Sequence, residues 1–513
     1  MATVVSGSRR VPVELLKDRV ARAASGFAAL GVGPGSGVAF CLRNDVEFYE
    51  VSLGAGALGA YAIPLNWHMS ADEVRYILED SGASVLVIHA DLFDRMKAGV
   101  PDSVEVLVVP TSPDLLAAYD LDRAVGEVPE GQANWTTWLD GFGPRTAASA
   151  EMPMAVLYTS GTTGRPKGVR RRAFTPQEQA IFGDMVAIDY GLRIFDAPGK
   201  ITTAVVGPLY HGAPNGHAVF SLRAGASVVI MPRFDAEKLL QLIERERITN
   251  LNMVPIMFSR LLKLPDSVRQ KYDLSSLRFV GHAAAPCPPD VKRAMIDWWG
   301  PVIHEYYGTT ETGNVTFCTS EEWLSHPGTV GKAIKGAEVR ILDPSGEPLG
   351  PGEVGEVAIR MHGIGDFTYH NDEAKRESVA RGRLVAPGDV GYLDEDGFLY
   401  ISDRLIDMII SGGVNIYPAE IESVLADMPG VADCAVFGIP SEEYGESVCA
   451  VVQPVSGATL TAEEVQAYVH QRVAGYKVPR RVEFSDALPR EDSGKIFKRR
   501  LRAPYWENAG RSI

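Results

Sequence analysis

The chain has 513 residues, 46% hydrophobic and 22% charged, which is enough apolar material for a large core divided between two or more domains. Its formal charge of -15 excludes a general nucleic-acid binder, because neutralising phosphates takes a basic field and this one is acidic. Five cysteines (Cys41, Cys287, Cys318, Cys434, Cys449) show neither metal-ligand nor disulfide spacing, the usage expected of reduced thiols in a cytoplasmic protein.

In chain order, Leu16, Val20, Ala23, Phe27 and Leu30 recur at helical spacing before Gly31, which predicts an amphipathic helix and its stop. No long apolar core follows the early arginines, so no secretory leader is expected. "VSLGAGALGAYAIPLN" is too short and too broken for a transmembrane segment and reads as a buried helix running into a buried strand. Short apolar runs then alternate with helical patterns: "VAFCLR", "YAIPL", "ASVLVIHA", "EVLVVP", "TTAVVG", "ASVVIMP", "LNMVP" and "LRFVGH". That alternation predicts α/β architecture with largely buried sheets. Beyond residue 330, "GAEVRIL", "GEVAIR" and "GYLDEDGFLYISDR" read as short antiparallel strands, the last pair turning at Glu395 to Gly397. Near Arg404 a third region begins. A helix from Pro418 places Ile421, Val424, Leu425 and Met428 on one face; a second, opened by a Thr461/Glu464 capping box, continues through Val465, Tyr468, Val469 and Val473. With the apolar segments "DCAVFGIP" and "VCAVVQPV" between them, these form a small α/β tail domain. The expected division is 1–404 and 405–513.

The densest chemistry lies in "LYTSGTTGRPKGVRRR", residues 157–172. The phosphate loop of nucleoside triphosphatases needs Gly-Lys followed by Ser or Thr; here Pro166 precedes Lys167 and Gly168 follows it, which excludes that loop. The stretch reads instead as a mobile turn after a strand, ahead of a helix that starts at Thr175 with Pro176 first and Glu178 completing a capping box. Gly161, Gly164 and Gly168 let the backbone approach a ligand closely, while Thr159, Ser160, Thr162 and Thr163 add hydroxyl donors. Such a set can wrap a pyrophosphate, and the same composition also fits a polar surface turn.

"YTSGTTGRPKGV" resembles the signature phosphate loop of the adenylate-forming superfamily of acyl-CoA synthetases, luciferases and adenylation domains. The resemblance extends through "GALGAYAIPLN", "YYGTTE", "GDVGYLDEDGFLYISDR" and "SGGVNIYPAEIE" to "SGKIFKRRL". It implies a large N-terminal adenylate-forming domain with a small mobile α/β C-terminal domain. It assigns ATP to the loop residues, with Lys167, and to Ala283, Ala284, Glu305, Tyr306, Tyr307, Gly308, Thr309, Thr310, Asp389 and Arg404. Within that set Tyr307 lies against adenine, Thr310 donates to the α-phosphate, Asp389 accepts the ribose hydroxyls, and Arg404 reaches ribose or phosphate. Glu311 holds magnesium. His211 positions the acid, Lys495 bridges the attacking carboxylate and the phosphate, and rotation of the tail brings Ser411, Gly412 and Gly413 to a thiol tunnel. Ile406 stands where relatives place an aspartate or lysine hinge, a stiffer, apolar choice.

The expected function is an acid:CoA ligase that uses ATP, Mg2+ and coenzyme A, forming acyl-AMP and pyrophosphate and then the thioester. The alternatives are a stand-alone enzyme loading a carrier protein, an oxygen-using relative of the luciferases, and a non-catalytic nucleotide-binding regulator. The resemblance allows a monomer or homodimer and leaves the acid open between fatty, aromatic and ring-containing.

Overall fold

The computed structural model describes residues 2–146, 153–159, 166–193, 200–405, 407–412, 414–490 and 496–507. Ser160, Gly161, Thr162, Thr163, Gly164, Ile406, Gly413 and Lys495 therefore lie outside the described residues, as does the side chain of Thr159.

The first helix, Val13–Ala29, buries Leu16, Ala23 and Phe27 along the stripe that its spacing sets. Covering a side chain such as Phe27 contributes roughly 1.5–3 kcal/mol. The glycine-broken apolar stretch forms the buried helix Glu47–Gly56 and the strand Tyr61–Pro64, as its length requires. That strand belongs to a five-stranded sheet that is parallel throughout, ordered Tyr61–Pro64, Gly37–Cys41, Val85–His89, Glu105–Val109, Ala133–Asn134. Gly37–Cys41 and Val85–His89 are buried at every position, which is why they read as continuous apolar runs without alternation.

A fifteen-stranded sheet carries the rest of the large domain. Thr3–Ser6, Ser227–Ile230, Thr202–Val205, Asn250–Met253, Phe279–His282 and Ile303–Thr309 run parallel in that spatial order. Ile303–Thr309 is the turning point, since it pairs parallel on one side and antiparallel with Gly313–Cys318 on the other. The strands beyond residue 330 are short and antiparallel, as expected, and form the small β region of the large domain. They extend this same sheet, because Gly331–Ala333 joins Gly313–Cys318 to Phe398–Arg404, which in turn pairs with Asp389–Leu393.

One local expectation is corrected. After Leu157–Thr159 the chain returns as a second strand, Lys167–Arg171, so Lys167 lies on a strand. Its outer partner is Phe367–Tyr369, some two hundred residues on, a pairing invisible to local reading. The Pro176–Asp189 helix follows with the Thr175/Glu178 capping box in place.

The tail sheet orders Val414–Ile416, Ile409–Ser411, Gly445–Pro454 and Val431–Ser441, with Arg481–Phe484 parallel to Gly445–Pro454. Helices Pro418–Ala426 and Ala462–His470 bury Ile421, Leu425, Val465 and Val469 against it. The second has the expected capping box but ends at His470, short of Val473. The five cysteines are free thiols. Among the described residues no helix is long and apolar enough to cross a membrane.

Candidate functional site

In sheets of this kind ligands gather beyond the carboxyl ends of parallel strands. Three quoted motifs occupy such ends: "PLYHGAP" follows Thr202–Val205, "GHAAAP" finishes Phe279–His282, and "YYGTTE" finishes Ile303–Thr309. Topology thereby collects segments a hundred residues apart.

At the last of these ends, Tyr307 donates its hydroxyl to Asp389 Oδ2 at 2.5 Å, and Arg404 Nε pairs with Asp389 Oδ1 at 2.9 Å. Asp389 and Arg404 face one another across their two strands, so sheet register fixes the pair. Burial, and then the neighbouring carboxylate, push the Tyr307 hydroxyl well above its usual range, which keeps it a neutral donor. Gly308 lies at a bulge where the hairpin closes on itself: a Cβ there would sit 2.3 Å from the Gly313 carbonyl oxygen. Thr309 and Thr312 share a hydroxyl contact at 3.1 Å, and Thr310 is half-buried between them and Glu311.

Glu311 Oε1 accepts from the Tyr369 hydroxyl at 2.8 Å, and among the described residues no hydrogen bond reaches its other oxygen. Tyr369 belongs to the strand that flanks Lys167–Arg171, so the base of the glycine-rich loop and the acidic residue are built on one small sheet. Arg171 reinforces this by donating to the backbone carbonyls of Glu311 and Gly365. Its guanidinium is nearly buried, and desolvation lowers it to about 10. Lys167 forms an ion pair with Asp372. Tyr369, Asp372 and Arg171 were missed by sequence reasoning. The first two stand in "DFTYHND", which carries no motif, and Arg171 sits in a basic run that reads as solvated.

Glu305 and Tyr306 turn their side chains into the core. Glu305 takes Lys292 at 2.6 Å, with His282 at 3.5 Å, and Tyr306 accepts from Asn252 at 2.6 Å. Burial raises the Glu305 carboxyl, and Lys292 opposes that shift. Ala283 is buried beside Tyr306 in one apolar cluster. Ala284 is exposed and holds φ 74, a left-handed backbone that costs a residue with a Cβ on the order of 1 kcal/mol or more and is typical of binding turns. His211 is the N-cap of the Gly212–Arg223 helix and packs its ring 4.4 Å from that of Tyr210. These positions lie at or just beyond the carboxyl ends of Thr202–Val205, Phe279–His282 and Ile303–Thr309. Ser411 and Gly412 do not join them and lie on the tail hairpin, where the Gly412 amide donates to Tyr444.

The joint between the parts is polar. Asp403, beside Arg404, accepts the Ala419 amide at 2.9 Å. Lys498, three residues past the expected catalytic lysine, is largely buried and pairs with Glu422 at 2.8 Å. Desolvation raises the Asp403 carboxyl to about 6, and Lys498 partly offsets this.

The family model described as AMP-binding enzyme matches residues 2–366, and that described as AMP-binding enzyme C-terminal domain matches residues 420–495. A feruloyl-CoA synthase of Amycolatopsis sp is 35% identical over 96% of this chain and 93% of its own length. The fatty acid--[acyl-carrier-protein] ligase ScoC of Streptomyces coeruleorubidus is 31% identical over 99% of this chain and 94% of its own. The crystal structure of ATP-bound MatB from Rhodopseudomonas palustris superposes with a TM-score of 0.83 at 28% identity, covering 99% of this chain and 97% of that one.

Proposed function

The chain belongs to the AMP-binding enzyme family, and from that membership we propose a division of labour among the residues described above. The protein is an ATP-dependent, AMP-forming acid:CoA ligase, with ATP and coenzyme A as its co-substrates. A free carboxylate is a poor acyl donor, so the acid first attacks the α-phosphorus of ATP and expels pyrophosphate. The CoA thiol then displaces AMP from the mixed anhydride. The observation that carries the assignment of residues is the linked set Tyr307, Asp389 and Arg404 beside Glu311.

In this reading the Asp389 carboxylate exchanges its Tyr307 and Arg404 partners for the ribose diol, which frees the Tyr307 ring face for adenine. Thr310 and the glycine-rich loop, Thr159 to Gly164, donate to phosphate oxygens. Lys167, drawn from Asp372, adds positive charge. Glu311, with one oxygen held by Tyr369, offers the other to a divalent cation; magnesium accepts so sparse a protein shell because phosphate and water fill the remainder. Bound there, Mg2+ would neutralise phosphate charge. His211 orients the acid, and Lys495 stabilises the charge shared by carboxylate and phosphate without moving a proton. Lys495→Ala is expected to lower acyl-AMP formation by about a hundredfold or more while thioester formation from supplied acyl-AMP persists, measured in separate half-reactions. Equal losses in both would overturn its role. Ser411, Gly412 and Gly413 line the approach of the thiol once the tail rotates about Ile406.

A carrier-protein pantetheine is the second reading of the acceptor, favoured by the similarity to ScoC. The cytoplasm is the proposed site of action, in keeping with five unpaired thiols. Acid-stimulated exchange of pyrophosphate into ATP tests the first half-reaction. Exchange that no acid in a broad panel stimulates would contradict it.

A further inference from the structure

Asp189 closes the Pro176–Asp189 helix with a fully buried side chain. Its Oδ2 accepts from the Asn314 amide at 2.8 Å, and among the described residues its Oδ1 has no hydrogen-bond partner. Three effects disfavour a carboxylate at this place: water is excluded, half of its acceptor capacity is idle, and the negative end of a helix dipole lies beneath it. Burial accordingly pushes the carboxyl up to about 7, and Asn314 offsets only part of that. An apolar residue would avoid all three costs.

Its neighbours place Asp189 beside the candidate site. Asn314 stands directly across the hairpin from Gly308, whose added Cβ would lie 2.4 Å from the Asn314 Cα. Asp189 is therefore one side chain away from the segment assigned to the nucleotide. The helix end also reaches the sheet closely, because a Cβ on Gly281 would come within 3.0 Å of the Asp189 carbonyl oxygen. On the opposite flank, the hydroxyl of Tyr190 closes on Gly216, in the helix that His211 caps. One turn into that helix Asn215 is buried, and among the described residues its Nδ2 has no partner. Among the described residues, the helix that His211 caps and the helix packed on the strand assigned to the nucleotide thus bury an idle donor on Asn215 and an idle acceptor on Asp189.

We propose that Asp189 is a specificity-determining residue, accepting a hydrogen bond from a hydroxyl or N–H group that the acid carries away from its carboxyl, with Asn215 as a second polar contact. This rests on the acid-activating reading and narrows its substrate to polar, donor-bearing acids. A plain hydrocarbon acid would leave both groups unpaired, and sites built around a polar contact reject the analogue lacking it.

The test gives the full-length enzyme ATP, Mg2+, CoA and acids in matched pairs, with and without a hydroxyl or amino group remote from the carboxyl, and follows AMP release as kcat/KM. The donor-bearing member is expected to be preferred by at least about tenfold. Asp189→Asn keeps the shape and the Asn314 contact but presents an N–H in place of the idle oxygen, so the ratio should fall to near one or invert toward ether and keto acids. A ratio near one in the wild type overturns the proposal whether or not the variant folds, and so does an unchanged ratio in folded Asp189→Asn. AMP release that ignores the donor defeats the assignment of Asp189 alone. No AMP release with any acid defeats acid activation itself.

Discussion

At the scale of single residues, Asp189 makes a prediction independent of any substrate. Its carboxyl is raised from 3.8 to about 7, so between those values the folded chain keeps a proton that the unfolded chain has released. Stability must then fall as pH rises through that window, by about 1.4 kcal/mol for each step of one in pH. Asp189→Asn removes this penalty. Its thermal midpoint should match the wild type near pH 4 and exceed it at pH 8, and parallel behaviour at both values would contradict burial as the cause. Tyr369 makes a second prediction. Tyr369→Phe deletes only the hydroxyl that holds Glu311 Oε1, so under the proposed role of Glu311 the Mg2+ concentration for half-maximal ATP use should rise about tenfold, the usual effect of losing an outer partner of a metal-binding carboxylate. An unchanged Mg2+ requirement would separate Tyr369 from the cation. Neither residue announced itself in the sequence, because an aspartate at a helix end and a tyrosine in an unmarked loop gain meaning only from partners more than fifty residues away.

At the scale of elements, the buried Lys292–Glu305 pair ties the Pro289–Trp299 helix to the strand that carries "YYGTTE". Lys292 also lies 4.9 Å from the centre of the Trp323 ring. Removing one partner leaves a charge stranded in low dielectric, so Lys292→Met should cost about 3–5 kcal/mol, whereas Lys292→Met combined with Glu305→Met should restore most of the stability. Denaturant unfolding of the two variants checks this, and a double variant as unstable as the single would show that the pair does more than neutralise itself. Features set by local rules were legible beforehand. The capping boxes at Thr175 and Thr461 and the fully apolar parallel strands depend on residues within one turn or one run. Pairings made over long separations were not: Lys167–Arg171 became a strand because Phe367–Tyr369 supplies its edge, and the strands beyond residue 330 became part of the large sheet through the three residues Gly331–Ala333.

At the scale of the molecule, one parallel sheet delivers three separate motifs to its carboxyl edge, and an antiparallel continuation brings Asp389 and Arg404 back to the same place. The motifs stood out through their resemblance to those of the family, which is the source of the expected phosphate cradle, cation ligand and diol acceptor. The links between the motifs did not, and Tyr307–Asp389–Arg404 is a single chain of contacts only in three dimensions. Lys498, set between Asp403 and Glu422, shows the same at the joint, where it is largely buried against carboxylates far from it in the chain. The decisive measurement is the identity of the products when ATP, a donor-bearing carboxylic acid and CoA are turned over together, resolved by phosphorus NMR and mass spectrometry. AMP, pyrophosphate and acyl-CoA should appear one for one. ADP with orthophosphate, or ATP left intact with every acid supplied, would contradict it.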